Sequence, residues 1–425
     1  MTRVGFIGLS HLGLNYSLAT AAKGFEVVAY DPDAALTAGC TAGKFPIEEP
    51  GFTELFNQHR ARLKYTSNLA EIAGCDLVFY GLDVRTNDKN ESDLGPLTAL
   101  IESTAPKLAR GATAVILSQV TPGYTRALSA RLAEKSPAKF FYQVETLIFG
   151  RAVERAMQPE RYMVGATDPA APLPEPLRAW HATFGCPVLV MRFESAELAK
   201  IAINFFLVST VCTTNTLAEV CEAIGADWNE IAPALRLDKR IGQYAYLKPG
   251  LGVSGGNLER DLVTVQGLAA RHGTETGVVS AWQHNSIYRK EWPLRMVQRH
   301  VLAKNPKPRL AIWGIAYKED THSIKNSPAV ELMRALSGHD LHAYDPAARI
   351  EAAAIPHVTR HKSALDVLTG ADALVIITPW AEFKGVAPAE IRARMKGTLV
   401  IDPYGVLDRT ACATEGLQHL QLGRG

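Results

Sequence analysis

The stretch RVGFIGLSHLG, residues 3–13, decides the fold of the chain. It begins with a short apolar run, turns at a glycine and continues into a helical pattern that Gly24 closes. A second apolar run, EVVAYD at residues 26–31, follows and ends in an acid. Short apolar runs are typical of buried strands, so this segment predicts a strand, a helix and a strand in succession.

The same alternation of short apolar runs and helical patterns continues on both sides of one long helical segment. Residues 194–224 contain no proline or glycine, which predicts a helix of about 45 Å that links domains or forms a subunit interface. KNPKPR, residues 304–309, predicts a linker. Further strands are predicted at CDLVFYG (75–81), ATAVILS (112–118), CPVLVM (186–191), LAIWG (310–314), DLHAYD (340–345), DALVIIT (372–378) and TLVID (398–402). This alternation predicts an α/β fold, with two Rossmann-like doubly wound domains joined by a long central helix and a helical middle domain.

The composition is that of an ordinary globular protein, and it argues against several function classes. The 425 residues are 47% hydrophobic and 21% charged. A net charge of +2 without long runs of one sign makes nucleic acid an unexpected partner. The six cysteines form no CxxC pair, which argues against a zinc site and a disulfide framework. The longest strongly apolar stretch, IAINFFLVSTVC, is shorter than the ~20 residues of a membrane span, so we predict a soluble, cytoplasmic protein.

GLSHLG, residues 8–13, stands at the first strand-to-helix turn, where GxGxxG would bind a dinucleotide. Backbone N–H groups at a helix N-terminus hold a pyrophosphate there, and Ser10 in place of the second glycine narrows the approach without blocking it. Asp31 ends the second strand and is placed to accept hydrogen bonds from a ribose diol, whereas its charge would repel a 2′-phosphate. The pattern favours NAD over NADP, and an ordinary tight turn is the alternative.

Ordered motifs extend over almost the whole chain. They are EEPGFTELF (48–56), SQVTPGYTR (118–126), VETLIFGRAVERAMQPERYMVG (144–165), SAELAKIAINFF (195–206), DKRIGQ (238–243), GLGVSGGNLERDL (250–262), GIAYKEDTHSIKNSP (314–328) and TPWAEFK (378–384). Together they resemble the UDP-glucose/GDP-mannose dehydrogenase family, the nucleotide-sugar 6-dehydrogenases. The resemblance implies an NAD-binding Rossmann domain at residues 1–193, a central helical dimerisation domain at 194–303 and a nucleotide-sugar-binding α/β domain at 304–425. It also implies a homodimer.

The resemblance implies two NAD-dependent oxidations, which enzymes of this family carry out in succession. They take a sugar C6 alcohol to an aldehyde and then, through a cysteine thiohemiacetal and thioester, to a carboxylate. Lys200 and Asn204 match the family's helix motif, and their spacing puts both on one helix face. The lysine can take part in proton transfer or stabilise an alkoxide, while the amide orients substrate or water.

The resemblance also implies roles for residues outside that helix. Glu145 is expected near the catalytic water, and Asp261 is expected to hold water or the lysine beside the reacting carbon. Taken alone, Glu145 could be a surface strand end and Asp261 a helix N-cap. The implied cofactor residues are Gly8, Ser10, His11, Leu12, Gly13, Asp31, Ser118 and Lys325, the last in place of an arginine. The implied substrate residues are Leu147, Tyr246, Leu247, Gly252, Lys318 and Arg240, the last reaching the substrate of a partner subunit.

The chain departs from the family pattern where the chemistry is decided. Asn257 stands where the nucleophilic cysteine is expected, and Gln119 replaces a threonine beside the catalytic water. Phe149 replaces a second glutamate, and Tyr404 replaces an arginine expected to help read the nucleotide sugar. An amide cannot form the thioester. We therefore predict an NAD-dependent two-electron oxidation of a UDP- or GDP-sugar at C6 that stops at the aldehyde, with specialised or antibiotic-type sugar metabolism as a natural setting.

Three alternatives stay open at this point. The first is a four-electron dehydrogenase that gives a uronate through water. The second is an epimerase that oxidises its substrate transiently, and the third is a non-catalytic nucleotide-sugar binder.

Overall fold

The computed structural model describes residues 2–254, 256–348 and 355–425. The chain forms two compact units, Met1–Ile203 and Asn204–Gly425. The predicted domain boundaries at residues 193 and 303 remain predictions.

The first unit contains a single eight-stranded sheet. Its strands are β1 Arg3–Ile7, β2 Glu26–Tyr30, β3 Leu63–Thr66, β4 Leu77–Tyr80, β5 Thr113–Ile116, β6 Lys139–Gln143, β7 Tyr162–Ala166 and β8 Val188–Arg192. Their order across the sheet is β3-β2-β1-β4-β5-β6-β7-β8. Neighbouring strands are parallel, except that β6 and β7 pair antiparallel. The mainly parallel sheet confirms the predicted α/β class.

Helices cover both faces of this sheet. They are α1 His11–Ala22, α2 Ala34–Thr41, α3 Phe52–His59, α4 Gly95–Thr104, α5 Tyr124–Leu132, α6 Ala152–Met157 and α7 Glu175–Ala182, with short 3-10 turns at Arg60–Arg62, Leu69–Gly74 and Ala105–Lys107. Phe6 and Ile7 are adjacent in β1 and belong to two different apolar clusters. Because side chains alternate across a strand, the two clusters lie on opposite faces of the sheet.

A 32-residue helix, α8 Phe193–Ile224, runs through both units, and Gly225 with φ +78° follows its end. By length and composition alone it could cross a membrane. Four of its polar side chains, however, are hydrogen-bonded to other segments of the chain, as in the core helix of a globular protein: Glu197, Lys200, Asn204 and Asn215.

The second unit combines further helices with a six-stranded parallel sheet. The helices are α9 Trp228–Leu237, α10 Asn257–His272, α11 Gly277–Lys290, α12 Trp292–Val297, α13 Pro328–Ala335, α14 Ala381–Lys384, α15 Pro388–Arg394 and α16 Arg409–Thr414, with a π turn at Gln298–Leu302 and a 3-10 turn at Asp366–Leu368. The strands are β9 Arg309–Trp313, β10 Asp340–Tyr344, β11 Val358–Arg360, β12 Ala373–Ile376, β13 Leu399–Ile401 and β14 Gln418–Leu420. Their order, β11-β10-β9-β12-β13-β14, is that of a second doubly wound sheet, as predicted.

Candidate active site

The turn between β1 and α1 is so tight that two of its positions accept only glycine. Gly8 has φ +92°, in the left-handed region that favours glycine. A Cβ on Gly13 would lie 1.9 Å from the carbonyl oxygen of Gly8. The Ser10 hydroxyl donates to the carbonyl of Gly81 at 3.0 Å and accepts from the Asp83 N–H at 2.8 Å. Ser10 therefore fastens the turn to the loop after β4.

Asp83 is a member of this turn that sequence reasoning missed. Its N–H donates to the Ser10 hydroxyl at 2.8 Å, which places Asp83 beside the N-terminus of α1. Burial raises the pKa of its carboxyl group, whereas the nearby backbone of Leu12 lowers that pKa. Backbone N–H groups at a helix N-terminus are the ones that a dinucleotide phosphate would use. A dinucleotide phosphate at this helix N-terminus would therefore lie close to the Asp83 side chain.

Asp31, directly after β2, is suited to bind a ribose. The Asp31 carboxylate accepts the N–H groups of Leu9 at 2.9 Å and Asp33 at 3.0 Å, one on each oxygen. A carboxylate has about four acceptor positions, so capacity remains for a ribose diol. In the second unit, the matching acid Asp345 accepts four backbone N–H groups and the indole of Trp380. The glycine turn and acid of the first unit thus fit NAD, whereas the acid of the second unit is already fully engaged.

Lys200 and Glu145 form a largely buried ion pair in the first unit. The Lys200 Nζ lies 3.0 Å from Glu145 Oε1 and also donates to the Glu145 backbone carbonyl at 3.0 Å. The two side chains are 13% and 16% exposed. The other carboxylate oxygen of Glu145 accepts the Leu147 N–H at 2.9 Å. The opposite charges of the two side chains offset part of the free-energy cost of removing each of them from water.

Asn204 and Asp261 form the corresponding pair in the second unit. The Asn204 Nδ2 donates to Asp261 Oδ2 at 2.5 Å, and the Arg260 Nε lies 3.4 Å from Asp261 Oδ1. The Asp261 side chain is 1% exposed. Asp261 lies inside α10, whose N-cap is Gly256, so it is not a helix N-cap. On α8, Lys200 and Asn204 are one turn apart on the same face, as the spacing predicts.

Comparison with known proteins gives a consistent result over the whole chain. Residues 2–184, 194–286 and 311–409 match the NAD binding domain, the central domain and the UDP binding domain of the UDP-glucose/GDP-mannose dehydrogenase family. The chain is 30% identical over 442 residues to the UDP-glucose 6-dehydrogenase AglM of Haloferax volcanii, with 99% of each chain covered.

The chain belongs to the UDP-glucose/GDP-mannose dehydrogenase family.

Two further relatives agree with this assignment. A putative UDP-glucose 6-dehydrogenase, YtcA of Bacillus subtilis, is 28% identical over 429 residues, which cover 99% of this chain and 100% of the relative. The fold matches that of a UDP-D-ManNAc dehydrogenase from Pyrococcus horikoshii, with a TM-score of 0.86 and 22% identity over 100% of both chains. The family is NAD-dependent, so this member is an oxidoreductase that acts on CH–OH groups with NAD as its cofactor.

Asn257 is the first residue of α10 and is exposed. It follows Gly256, whose N–H donates to Glu259 Oε2 at 3.0 Å. The position at a helix N-terminus is one that lowers the pKa of a thiol, which explains why a cysteine there would be reactive. An amide has no corresponding nucleophilic form.

The cysteines of the second unit do not replace that thiol. Cys212, Cys221 and Cys412 are all buried. Burial raises the pKa of Cys212 to about 11, and the Cys212 thiol donates to the carbonyl of Trp282 at 3.7 Å. Burial also raises the pKa of Cys412 to about 11. Such thiols are core side chains and poor nucleophiles.

The remaining predicted cofactor residues are engaged in contacts of their own. The His11 ring lies 2.7 Å from Glu49 Oε1 and 4.4 Å, centroid to centroid, from the Phe149 ring. Leu12 is buried, so only its backbone can face a ligand. The Ser118 hydroxyl donates to a backbone carbonyl at 2.6 Å. Lys325 lies in the second unit, in the segment before α13. Gln119, which was predicted beside the catalytic water and not at the cofactor, follows β5.

The predicted substrate residues of the second unit occupy three segments. Arg240 is 89% exposed and pairs with Asp238 at 2.6 Å. Tyr246 and Leu247 precede the glycine-rich loop, in which a Cβ on Gly252 would lie 2.4 Å from a backbone oxygen. Lys318 follows β9, with its Nζ 5.9 Å from the centroid of the Tyr317 ring.

Two acids with buried side chains hold loops of the first unit and were not predicted as site residues. Glu49 accepts the N–H groups of Gly150 at 3.1 Å and Ala152 at 3.2 Å. Glu197 accepts the N–H groups of Gly123 at 2.6 Å and Thr125 at 2.9 Å. Both acids lie in family motifs quoted above, but nothing in their local sequence indicates which distant backbone they hold.

Proposed function

We propose that this enzyme oxidises the C6 alcohol of a nucleotide-linked sugar to the aldehyde and releases it after one two-electron step. The observation that carries the proposal is an asymmetry in the site residues. The pairs Lys200–Glu145 and Asn204–Asp261 are retained in contact, whereas Asn257 occupies the position of the expected nucleophile. The match of residues 311–409 to a UDP binding domain favours UDP as the nucleotide.

The first oxidation needs a positioned acceptor for the alcohol proton and a stabilised alkoxide. NAD supplies the hydride acceptor when it is bound. Lys200 stabilises the negative charge that develops on the alcohol oxygen, and Glu145 holds that lysine in place and can take the proton through it or through water. Asn204 is oriented by its bond to Asp261, which leaves its amide oxygen to position the sugar hydroxyl or a water.

The second oxidation needs a covalent adduct. The hydrogen on the carbonyl carbon of an aldehyde is a poor hydride donor until a nucleophile adds to that carbon. Asn257 cannot add, and the thiols of the second unit are buried with raised pKa values or held in the core. One NADH and an aldehyde, or its hydrate, are therefore the expected products.

A four-electron reaction through water is the second candidate, because the Lys200–Glu145 pair could also activate a water. The test is to incubate the enzyme with NAD and a panel of UDP- and GDP-sugars, to measure NADH formed per sugar consumed, and to weigh the products. One NADH and an aldehyde mass support the proposal, whereas two NADH and a uronate refute it. An epimer without net NADH, or binding without turnover, would also refute it.

We also propose that the enzyme is a cytoplasmic homodimer in which Arg240 reaches the substrate of the partner subunit. Large apolar side chains are exposed in the second unit, including Phe206 at 77% and Leu237 at 84%. Exposed apolar surface of this kind marks an interface. Phe206→Glu should lower the mass measured by light scattering to that of one chain, while Leu189→Glu on the first unit should not. A monomeric wild-type enzyme with full activity would contradict the proposal.

A further inference from the structure

The buried carboxylate of Glu49 binds three donors from two distant segments of the first unit. Glu49 Oε1 lies 2.7 Å from His11 Nε2 and accepts the Gly150 N–H at 3.1 Å, while Oε2 accepts the Ala152 N–H at 3.2 Å. The Glu49 side chain is 1% exposed. An ionised carboxylate only accepts hydrogen bonds, so the imidazole of His11 carries a proton on Nε2 and donates. A carboxylate removed from water needs such donors, and one carboxylate therefore joins both segments.

The first of these segments is the turn that binds the cofactor, residues 8–13. His11 is the first residue of α1, and its backbone carbonyl accepts the Asn15 side chain at 2.8 Å. The N–H groups at the start of this helix are those that hold the pyrophosphate of a dinucleotide. Glu49 is thus connected to the cofactor turn through the ring of His11.

The second segment is the loop at residues 145–151, here called the Glu145 loop, which leads into α6. At its start, the Glu145 backbone carbonyl accepts Lys200 Nζ at 3.0 Å, and the two side chains form the ion pair described above. Near its end, Gly150 has φ +84°, in the left-handed region that favours glycine. The N–H of Gly150 and that of the first residue of α6 both donate to Glu49. The loop is therefore held by Lys200 at one end and by Glu49 at the other.

The ring of Phe149 forms a second contact between the two segments. Its centroid lies 4.4 Å from that of the His11 ring, and the ring planes are inclined at 36°. Phe149 stands where the family pattern has a second glutamate. A carboxylate at this position would be a further acceptor for His11, in competition with Glu49. The phenyl ring packs on the imidazole without offering an acceptor, which leaves the Nε2–H to Glu49.

We propose that Glu49 is a positioning residue of the oxidation, and that it fixes the cofactor turn and the Glu145 loop relative to each other. The first segment holds NAD, and the second carries the acid of the Lys200–Glu145 pair. Hydride transfer is fast only when cofactor, alcohol and proton acceptor are aligned. Glu49 acts through the His11 ring and through the backbone of the Glu145 loop. The inference rests on the proposed function only for the readout that uses a sugar nucleotide.

The test compares Glu49→Gln with the wild type and with a matched control, Asp76→Asn. Glutamine keeps the size of Glu49, but it has one acceptor oxygen and places an NH2 donor against at least one of the three donors. Asp76 is also an acid that accepts a backbone N–H, that of Arg3 at 2.9 Å, but it lies where β1 and β4 begin, at the opposite edge of the sheet. Circular dichroism reports whether each variant is folded. If Glu49→Gln does not fold, Glu49→Asp replaces it, because aspartate keeps the charge and is too short to reach both segments.

Three readouts are measured. Hydrogen exchange at the Gly150 and Ala152 amides should become faster in the Glu49 variant only. The Kd for NAD, measured by calorimetry without any sugar, should rise about 3- to 10-fold, as expected for the loss of one hydrogen bond. With UDP-glucose and NAD both saturating, kcat should fall by a similar factor, because the Glu145 loop is then held at one end only. Asp76→Asn should leave all three values at those of the wild type.

Faster exchange with unchanged NAD affinity and unchanged kcat would overturn the proposal, because Glu49 would then only stabilise the fold. Weaker NAD binding with unchanged exchange at Gly150 and Ala152 would also overturn it, because Glu49 would then act on the cofactor turn alone. Failure of the proposed function is seen separately, in the wild type, as two NADH and a uronate per sugar. That result leaves the exchange and NAD-binding tests of Glu49 in force, since neither of them requires turnover.

Discussion

Replacing Asn257 by cysteine should change the product from an aldehyde with one NADH to an acid with two. Asn257 is exposed at the first position of α10, where the helix N-terminus lowers a thiol pKa below its usual value of about 8.5. At pH 8, at least about a quarter of the introduced thiol would then be ionised. Cys212, with a pKa of about 11, is ionised in only about 1 molecule in 1000 at that pH. The substitution therefore supplies roughly 200-fold more thiolate than this buried cysteine can.

The assay follows NADH per sugar consumed and the mass of the product for the wild type, Asn257→Cys and Asn257→Ser. The serine variant is the matched control, because its hydroxyl has a similar size and is a weak nucleophile at this pH. Alkylation by iodoacetamide reports independently whether the introduced thiol is reactive. If that thiol is alkylated rapidly and the product is still the aldehyde, the missing nucleophile does not decide where the reaction stops.

Three further predictions concern the first unit. Gly13→Ala should abolish NAD binding measured by calorimetry, because its Cβ would lie 1.9 Å from the Gly8 carbonyl oxygen. Asp83→Ala should bind NAD several-fold more tightly than the wild type, since it removes an acidic side chain beside the helix N-terminus at which the pyrophosphate would bind. Burial lowers the pKa of His181 to about 4. Below about pH 6.5 the unfolded chain therefore binds a proton at this histidine before the folded protein does, and the free energy of unfolding falls by about 3 kcal/mol between pH 6.5 and 4. His181→Gln should remove this part of the pH dependence in denaturant titrations.

Each of these has a result that would contradict it. Gly267→Ala is the control for the glycine substitution, because nothing lies within 4 Å of a Cβ at that position. NAD binding by Gly13→Ala at the wild-type affinity would show that the turn can relax. Weaker NAD binding by Asp83→Ala would mean that the carboxylate contacts the cofactor favourably. Parallel pH curves for His181→Gln and the wild type would show that another group titrates in this range.

Much of the fold follows from local patterns. The first strand, its glycine turn, α1 and Asp31 appear where the sequence predicts them, and so do α8 and its end at Gly225. These features depend on neighbours within a few residues. The strands that were not predicted are short segments such as Leu63–Thr66 and Tyr162–Ala166. The antiparallel pairing of β6 with β7 was likewise not predicted. The direction of a strand depends on the connection that leads into it, and the strand's own residues do not show that direction.

The sequence by itself determined the α/β class, the family, the NAD turn, the spacing of Lys200 and Asn204, and the absence of a cysteine at Asn257. The tertiary structure alone decided which partners these residues have. Lys200 meets Glu145 across 55 residues, Asn204 meets Asp261 across 57, and Asp83 reaches the helix turn that begins at His11. Residue types and helical spacing are local properties of the chain, whereas these contacts exist only after folding has brought distant helices and loops together.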